Sequence, residues 1–300
     1  CTVVVTTFHA GDKLIECLNK IPKKFKILII DNGLEEKNIN LYQNKYKNLK
    51  YYIPDQNLGV PRSYSLANKL VNTKLMFTTQ PDVEIKENCI EFLIEAINKY
   101  ENAAILSPTI YHNNKYDPEG DFKVLKIRNK KLLKSKNYKN NFYDDPPFGD
   151  LSVDAVTGTA MLIDRDKINK IGDWDKNIFN YYEDMDLCLR LRYEGYEILK
   201  IRKSEVNHVP FSSHDKKYDR ELDFSRNWHY SWSTYYFFKK HSGKVNALLK
   251  GINMFFKSSL KFIIYLLLNR NKSRTHFAKA YGILYSILNL KSNYRPKIKK

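Results

Sequence analysis

Three carboxylates fall within four positions: Glu183, Asp184 and Asp186. They follow the aromatic run Phe179-Asn180-Tyr181-Tyr182 and precede Leu187, Cys188 and Leu191 at helical spacing, which predicts a helix from about Glu183 to Gly195. Acids in a first helical turn are favoured by the macrodipole, by roughly 0.3–1 kcal/mol each, so the cluster has an ordinary structural explanation. It also has a chemical one. A carboxylate at a partly apolar helix start can take a proton from an attacking hydroxyl, which is general-base work.

Other residues able to do chemistry stand behind predicted strands. Cys1 to Thr7 is a β-branched run without alternation, as expected of a strand buried on both faces. Phe25 to Ile30 predicts a second strand ending in Asp31-Asn32-Gly33, and Tyr51-Tyr52-Ile53 a short third. Lys74 to Thr79 predicts a fourth, followed at once by Gln80-Pro81-Asp82. Helices are predicted over 13–20, 35–46 and 88–100, with another fed by the turn Asn57-Leu58-Gly59-Val60-Pro61-Arg62 and running to about Leu70. Ala103 to Leu106 predicts a further strand. Strands alternating with helices mean an α/β fold with a mostly parallel central sheet. In such sheets ligands lie outside the carboxyl ends of the strands, which singles out Thr7, Asp31 and Asp82.

Residues 111–150, rich in Asn, Lys, Tyr and Asp, predict a long loop or insertion. Val153 to Asp164 reads as a strand carrying Thr157-Gly158-Thr159. Gly172-Asp173-Trp174-Asp175 is a turn into the acidic stretch. Glu197 to Ile201 reads as a strand, with Val206-Asn207-His208 after it.

The 300 residues, 43% hydrophobic and 28% charged, are enough for one large globular domain or a domain with an appendage. The 4 cysteines form no CxxC pair, which predicts reduced thiols, a cytoplasmic compartment and no structural zinc. The chain opens on Cys1 inside a strand pattern, which predicts a native start further upstream, and its first residues carry no secretory signal pattern. The net charge of +18 is uneven: no Asp or Glu follows Asp223. Such an excess implies an anionic partner, nucleic acid or an acidic membrane surface.

From Trp228 the composition turns aromatic, then basic and apolar, with helices predicted over 246–269 and 275–290. The apolar run Phe262 to Leu268 falls short of the about 20 residues needed to cross a bilayer. The expectation is a basic amphipathic tail over 241–300 lying in a membrane interface, the alternative being a face packed on the preceding domain over 1–240. Long apolar runs favour lipid over nucleic acid, whose protein partners are more polar, so no specific nucleic-acid partner is expected.

Taken together, these motifs resemble the family 2 glycosyltransferases of the GT-A fold, especially the bacterial rhamnosyltransferase-like branch. The resemblance rests on Thr6-Thr7-Phe8-His9, Asp31-Asn32-Gly33, Asn57-Leu58-Gly59 with Arg62 and Asn68, Gln80-Pro81-Asp82, Glu183-Asp184-Met185-Asp186-Leu187 and His208, in that order over residues 1–240. It implies a Rossmann-like sheet flanked by helices and transfer of a sugar, with inversion, from a nucleotide-sugar donor to a glycan or lipid-linked glycan. The setting it implies is the cytoplasmic face of the membrane.

The resemblance also implies roles. Asp184 would be the general base, with Glu183 as the alternative, and Asp186 would orient the site or meet acceptor hydroxyls. Thr7, Asp31, Asn57, Arg62 and Gln80 would line the nucleotide-sugar site, Asp31 at the nucleobase or ribose and Arg62 at the diphosphate. Asp82 and His208 would hold a divalent cation, Mg2+ or Mn2+. Gln80 stands where the family's usual Asp-x-Asp has its first acid, which lowers the negative charge of that site. Each has a plainer reading: a turn-forming Asp31, a strand-end Thr7, an exposed Arg62, a structural His208. The rival functions are a sugar nucleotidyltransferase and a non-catalytic basic membrane- or nucleic-acid-binding protein. The first rival needs a Gly-rich phosphate loop after the first strand, and Thr6 to Gly11 is not one. The donor is expected to be dTDP-rhamnose or a UDP-linked sugar.

Overall fold

The computed structural model describes residues 1–35, 38–117, 127–128, 131–132, 146, 148–209, 214 and 216–296. Most of the segment 111–150 lies outside the described residues. The chain divides into two compact units, the first made of Cys1–Leu125, Ser135–Trp174 and Asp184–Asp215, the second of Lys126–Lys134, Asp175–Glu183 and Lys216–Lys300.

The first unit is built on a twisted sheet. Strands β1 (Thr2–Thr7), β2 (Lys26–Asp31) and β3 (Leu49–Tyr52) alternate with α1 (Asp12–Lys20) and α2 (Asn38–Lys45). Helix α3 (Gly59–Leu70) leads to β4 (Leu75–Thr79), β5 (Val83–Ile85), α4 (Cys89–Lys99) and β6 (Ala103–His112). The short β7 (Lys115–Tyr116) follows. The pair β8 (Ile127–Arg128) and β9 (Lys131–Leu132) forms a ribbon that belongs to the second unit. Beyond it come β10 (Leu151–Ser152), β11 (Ala160–Asp164), α5 (Arg165–Lys170), α6 (Glu183–Tyr193) and β12 (Glu197–His208). The strand order is β10-β12-β6-β11-β4-β1-β2-β3, with β5 on β12 and β7 on β6.

The half β3-β2-β1-β4 is parallel, whereas β11 inserts antiparallel between β4 and β6. The strand expected from Val153 begins only at Ala160, because residues 153–159 form the irregular approach to it. The two pieces expected after Glu197 are one strand, bent by register shifts between Ile201 and Glu205. A bulge of this kind interrupts the side-chain alternation that periodicity reads.

Every residue of β1 is buried. Val3 and Val5 join one apolar cluster with Leu14, Cys17 and Leu18 of α1 and Ile90, Leu93 and Ile97 of α4, while Val4 lies outside that cluster. Burial on both faces explains the unbroken β-branched run. Cys17, Cys89 and Cys188 are buried and unpaired, and burial pushes each thiol up to about 12. Lys200 on β12 is also buried; desolvation pulls its ammonium down to about 7, and its Nζ donates to the Tyr116 hydroxyl at 3.0 Å.

The second unit is a three-helix assembly: α7 (Asp219–Ser242), α8 (Lys244–Leu268) and α9 (Arg270–Ile287). Phe224, Trp228, Trp232 and Ala278 form its aromatic core with Tyr281, Tyr285 and Tyr294 around them. His229 is a structural residue: its Nε2 donates to the Tyr294 carbonyl at 3.0 Å, so its Nδ1 accepts from the Ser292 hydroxyl, also 3.0 Å. Burial, aided by Arg295, holds it down at about 3, a neutral ring at any physiological pH.

Helix α8 is a continuous 25 residues, long and apolar enough by length and composition to cross a membrane. The short run Phe262 to Leu268 understated it, because Leu249, Ile252 and Phe256 carry the apolar register upstream past isolated lysines.

Gly282 of α9 sets how closely α7 and α9 approach. A Cβ there would lie 2.2 Å from the Trp228 carbonyl oxygen. Replacing a helix-interior glycine by alanine ordinarily gains about 1 kcal/mol. Here Gly282→Ala is expected to cost stability instead, by about 1–3 kcal/mol, as overpacking does. Urea unfolding measures it; a gain would remove the close contact of these helices.

Candidate functional site

The parallel strands β1, β2 and β4 end at one edge of the sheet, and the residues after them build the site. Thr7 sits opposite Asp31 in register, and Val5 opposite Thr79. Thr7 is buried, and its carbonyl accepts the Asn32 N–H at 2.9 Å.

Asp31 is 1% exposed. Its Oδ1 accepts the Gly33 N–H at 2.8 Å; its Oδ2 accepts the Glu35 N–H at 3.2 Å and the Tyr51 hydroxyl at 2.8 Å. The turn-forming reading of Asp31 is therefore realised: this carboxylate points into its own turn. Tyr51 is driven well above the ordinary phenol range by burial and by that carboxylate. Sequence reasoning gave Asn32 no role, yet it ties two motifs together. Its Oδ1 accepts the Leu58 N–H at 2.8 Å and its Nδ2 donates to Ser63 Oγ at 3.0 Å. Asn57 caps the same bend, its Oδ1 accepting the Gly59 N–H at 2.9 Å. Arg62 lies half-buried in the first turn of α3. His9, in the left-handed region at φ 52°, packs over Gly33, where a Cβ would lie 2.9 Å from its backbone nitrogen.

Gln80 and Pro81 carry the chain from β4 into Asp82. Gln80 is half-buried, and its carbonyl accepts the Val83 N–H at 3.2 Å. The Asp82 side chain is 4% exposed, and its Oδ2 lies 3.6 Å from His208 Nε2. Its Oδ1 is buried with no hydrogen-bond partner among the described residues. The strand β12 delivers His208 to this place because it pairs antiparallel with β5, His208 opposite Val83 and the Val209 N–H donating to the Asp82 carbonyl at 3.0 Å. His112, a residue the motifs did not flag, stacks on His208 with ring centroids 5.1 Å apart, its Nδ1 2.8 Å from Asp117 Oδ2.

Among the described residues, no group of three or more His, Cys, Asp and Glu side chains is placed to hold a metal. The Asp82–His208 pair nevertheless fits a hard divalent cation. It offers an unsatisfied carboxylate oxygen and an imidazole nitrogen side by side, and Mg2+ and Mn2+ routinely fill their remaining positions with water and substrate phosphates.

The acids at 183–186 separate by environment. Asp184 is half-buried at the start of α6; its Oδ2 accepts the Gly158 N–H at 2.9 Å and its Oδ1 the Met185 N–H at 2.7 Å. Gly158 stands just before β11, whose Ala160 faces Thr79 of β4. Asp184 is thus tethered at the end of the sheet where the Gln80-Pro81-Asp82 turn begins. Asp186 is fully buried, paired with Arg190 at 2.8 Å, and Arg190 in turn donates to the Ile171 and Asp173 carbonyls. This pairing ties α6 to the chain at Ile171 and Asp173. Glu183 is 8% exposed. The residues before it, Tyr181 and Tyr182, are both left-handed, at φ 67° and 68°. Consecutive non-glycine residues in that region store strain, of order 1–3 kcal/mol each, and must be braced. The bracing comes from α7: Ser233 Oγ donates to the Asn180 carbonyl at 2.8 Å, and Tyr181 and Tyr182 pack on Tyr230.

Two solved glycosyltransferases share this GT-A fold. The mannosyltransferase PcManGT from Pyrobaculum calidifontis, in complex with GDP-Man and Mn2+, aligns over 96% of this chain and 87% of its own, with a TM-score of 0.57 at 10% identity. GalNAc-T7 with UDP, GalNAc and Mn2+ aligns over 69% of this chain at a TM-score of 0.53 and 17% identity; the chain spans only 43% of that structure. The profile of glycosyl transferase family 2 matches residues 2–172, and the chain belongs to that family. Among its relatives, the N-acetylglucosaminyl-diphospho-decaprenol L-rhamnosyltransferase of Mycobacterium tuberculosis is 23% identical over 69% of this chain and 75% of its own length. The low-salt glycan biosynthesis hexosyltransferase Agl10 of Haloferax volcanii is 27% identical over 58% of this chain and about half of its own, 54%.

Proposed function

We propose that the protein is an inverting glycosyltransferase. It moves a sugar, with rhamnose the first choice, from a nucleoside-diphosphate donor to a hydroxyl of a glycan or lipid-linked glycan in cell-surface polysaccharide synthesis. The observation that carries this reading is the pair at the end of the sheet: a buried, unsatisfied Asp82 oxygen beside His208. Leaving a carboxylate oxygen buried and unmet costs about 1–3 kcal/mol, a cost a binding site recovers when its ligand arrives.

The donor lies across the ends of β1, β2 and β4. The turn built by Asp31, Asn32 and Asn57 shapes the nucleotide side, so Asp31 acts there by positioning backbone. Arg62 at the start of α3 meets the diphosphate, with the bidentate geometry a guanidinium offers. Gln80 adds an amide beside the phosphates without adding charge. Asp82 and His208 would hold the divalent cation, which when bound neutralises the charge growing on the leaving diphosphate. Asp184, tethered by Gly158 to the same end of the sheet, takes the proton of the acceptor hydroxyl from the face opposite the leaving group; Glu183 is the alternative base. The names of the Mycobacterium and Haloferax relatives support the rhamnosyl or hexosyl donor and, for the first, a lipid diphosphate acceptor. Buried unpaired thiols support a cytoplasmic setting.

A thermal-shift screen of dTDP-, UDP- and GDP-sugars with Mg2+ or Mn2+ tests the reading. Ligand at about 100-fold over its Kd stabilises the fold by about 2.7 kcal/mol, so one nucleotide class should raise Tm in a cation-dependent way. No shift with any of them would sink the assignment.

A further inference from the structure

Helix α8 carries a face that no described residue of its own unit covers. Leu249, Ile252, Phe256, Leu260, Ile263 and Leu267 recur at spacings of three and four, one stripe down the helix, and are 41–94% exposed. The opposite face is spoken for. Ala247, Gly251 and Ser258 are buried there, and a Cβ on Gly251 would lie 2.9 Å from Tyr235 of α7 and 3.3 Å from Ile287 of α9. A large, contiguous exposed apolar stripe marks a surface built to meet something.

The surrounding charge says what. Lys257 and Lys261, both exposed, run along one flank of the stripe, and Lys250 precedes them on that side. No acidic residue occurs anywhere after Asp223, so α8 and α9 offer cations alone around the apolar face. An apolar stripe flanked by lysines complements an anionic lipid surface: the side chains enter the acyl boundary and the ammonium groups reach the headgroups.

We propose that α8 docks this protein on an anionic phospholipid bilayer, lying in the plane of the interface with the 249–267 stripe buried in it. A spanning orientation would take the lysines into hydrocarbon and strip α8 from α7 and α9, which cover its other face. The proposal stands whether or not the transferase reading holds, because it rests on the second unit alone.

The test uses the full chain and preformed vesicles of phosphatidylcholine, with or without 30 mol% phosphatidylglycerol as the anionic probe, at about physiological salt. The wild type is expected to co-sediment with the anionic vesicles at least about tenfold better than with the neutral ones. Phe256→Asp/Ile263→Asp, on the exposed face, should lose at least about tenfold in vesicle affinity with Tm unchanged. Lys257→Gln/Lys261→Gln should weaken binding to anionic vesicles only. Chasing bound protein with a second vesicle population should move it across, as an in-plane helix allows; retention would overturn the in-plane orientation. Two results overturn the docking itself. One is equal binding by the wild type and the Asp variant. The other is no vesicle binding together with a dimer in light scattering that the Asp variant splits, which assigns the stripe to a second copy of the chain.

Discussion

Asp184→Asn is expected to lower sugar transfer by roughly 10²–10⁴-fold, the usual contribution of a positioned general base, with nucleotide affinity nearly unchanged. The exchange is close to isosteric and removes the basicity. It also disturbs a local pattern, because both Asp184 oxygens accept backbone N–H groups, from Gly158 and Met185. An amide carries one acceptor oxygen, so one of those bonds is lost, at a stability cost of about 1 kcal/mol. That cost is small beside the expected loss of rate, and Tm separates the two. Nucleoside diphosphate release from the donor selected by thermal shift is the assay, alongside donor affinity by calorimetry. Glu183→Gln is the companion variant. If Asp184→Asn turns over at the wild-type rate and Glu183→Gln does not, the base is Glu183. If both are unimpaired, neither carboxylate takes the proton.

The separation of these acids shows what spacing can and cannot reveal. Asp186 and Arg190 stand four apart on a helix, a spacing at which such side chains meet, so their pairing was readable from the sequence. Asp184 and Gly158 meet only because α6 closes over the approach to β11, a tertiary event with no local signature. The parallel half of the sheet was legible because strands buried on both faces favour unbroken apolar runs rich in β-branched residues, as in Val3-Val4-Val5 and Ile27-Leu28-Ile29-Ile30. The reversal of β11 was not, since an antiparallel strand with both faces covered carries the same apolar run as a parallel one. Asp31 was legible both as a turn residue and as a nucleotide contact; its bonds to the Gly33 and Glu35 N–H groups realise the turn. The Asp82–His208 contact came from family resemblance, because residues so far apart in the chain meet only through the pairing of β5 with β12. His112 carried no motif and emerged only once its ring was seen against His208.

Removing the Asp82 carboxylate should move stability and function in opposite directions, which makes the test hard to mimic by misfolding. Asp82 Oδ1 is buried without a partner among the described residues, and such an atom costs about 1–3 kcal/mol. Asp82→Ala deletes it along with the 3.6 Å contact to His208 Nε2, a pair too long to be a strong hydrogen bond. In chelator the variant should therefore melt no lower than the wild type, and higher if the orphan cost exceeds the weak contact. In Mn2+ the order should invert, because the wild type gains stability by mass action and the variant loses most of that gain. Loss of an outer-shell partner already weakens metal affinity by about 10–100-fold; loss of a direct ligand should do at least as much, and the cation concentration needed for transfer should rise accordingly. His208→Ala should repeat the affinity loss while leaving the orphan oxygen in place, so its melting temperature in chelator should not rise. Gln80→Asp is the converse experiment: a second acid beside Asp82 should tighten Mn2+ binding and raise the cost of leaving the site empty. Full activity of the wild type in chelator, with the same melting temperature in Mn2+ as without it, would remove the cation from this site and leave Asp82 as a strand-end residue.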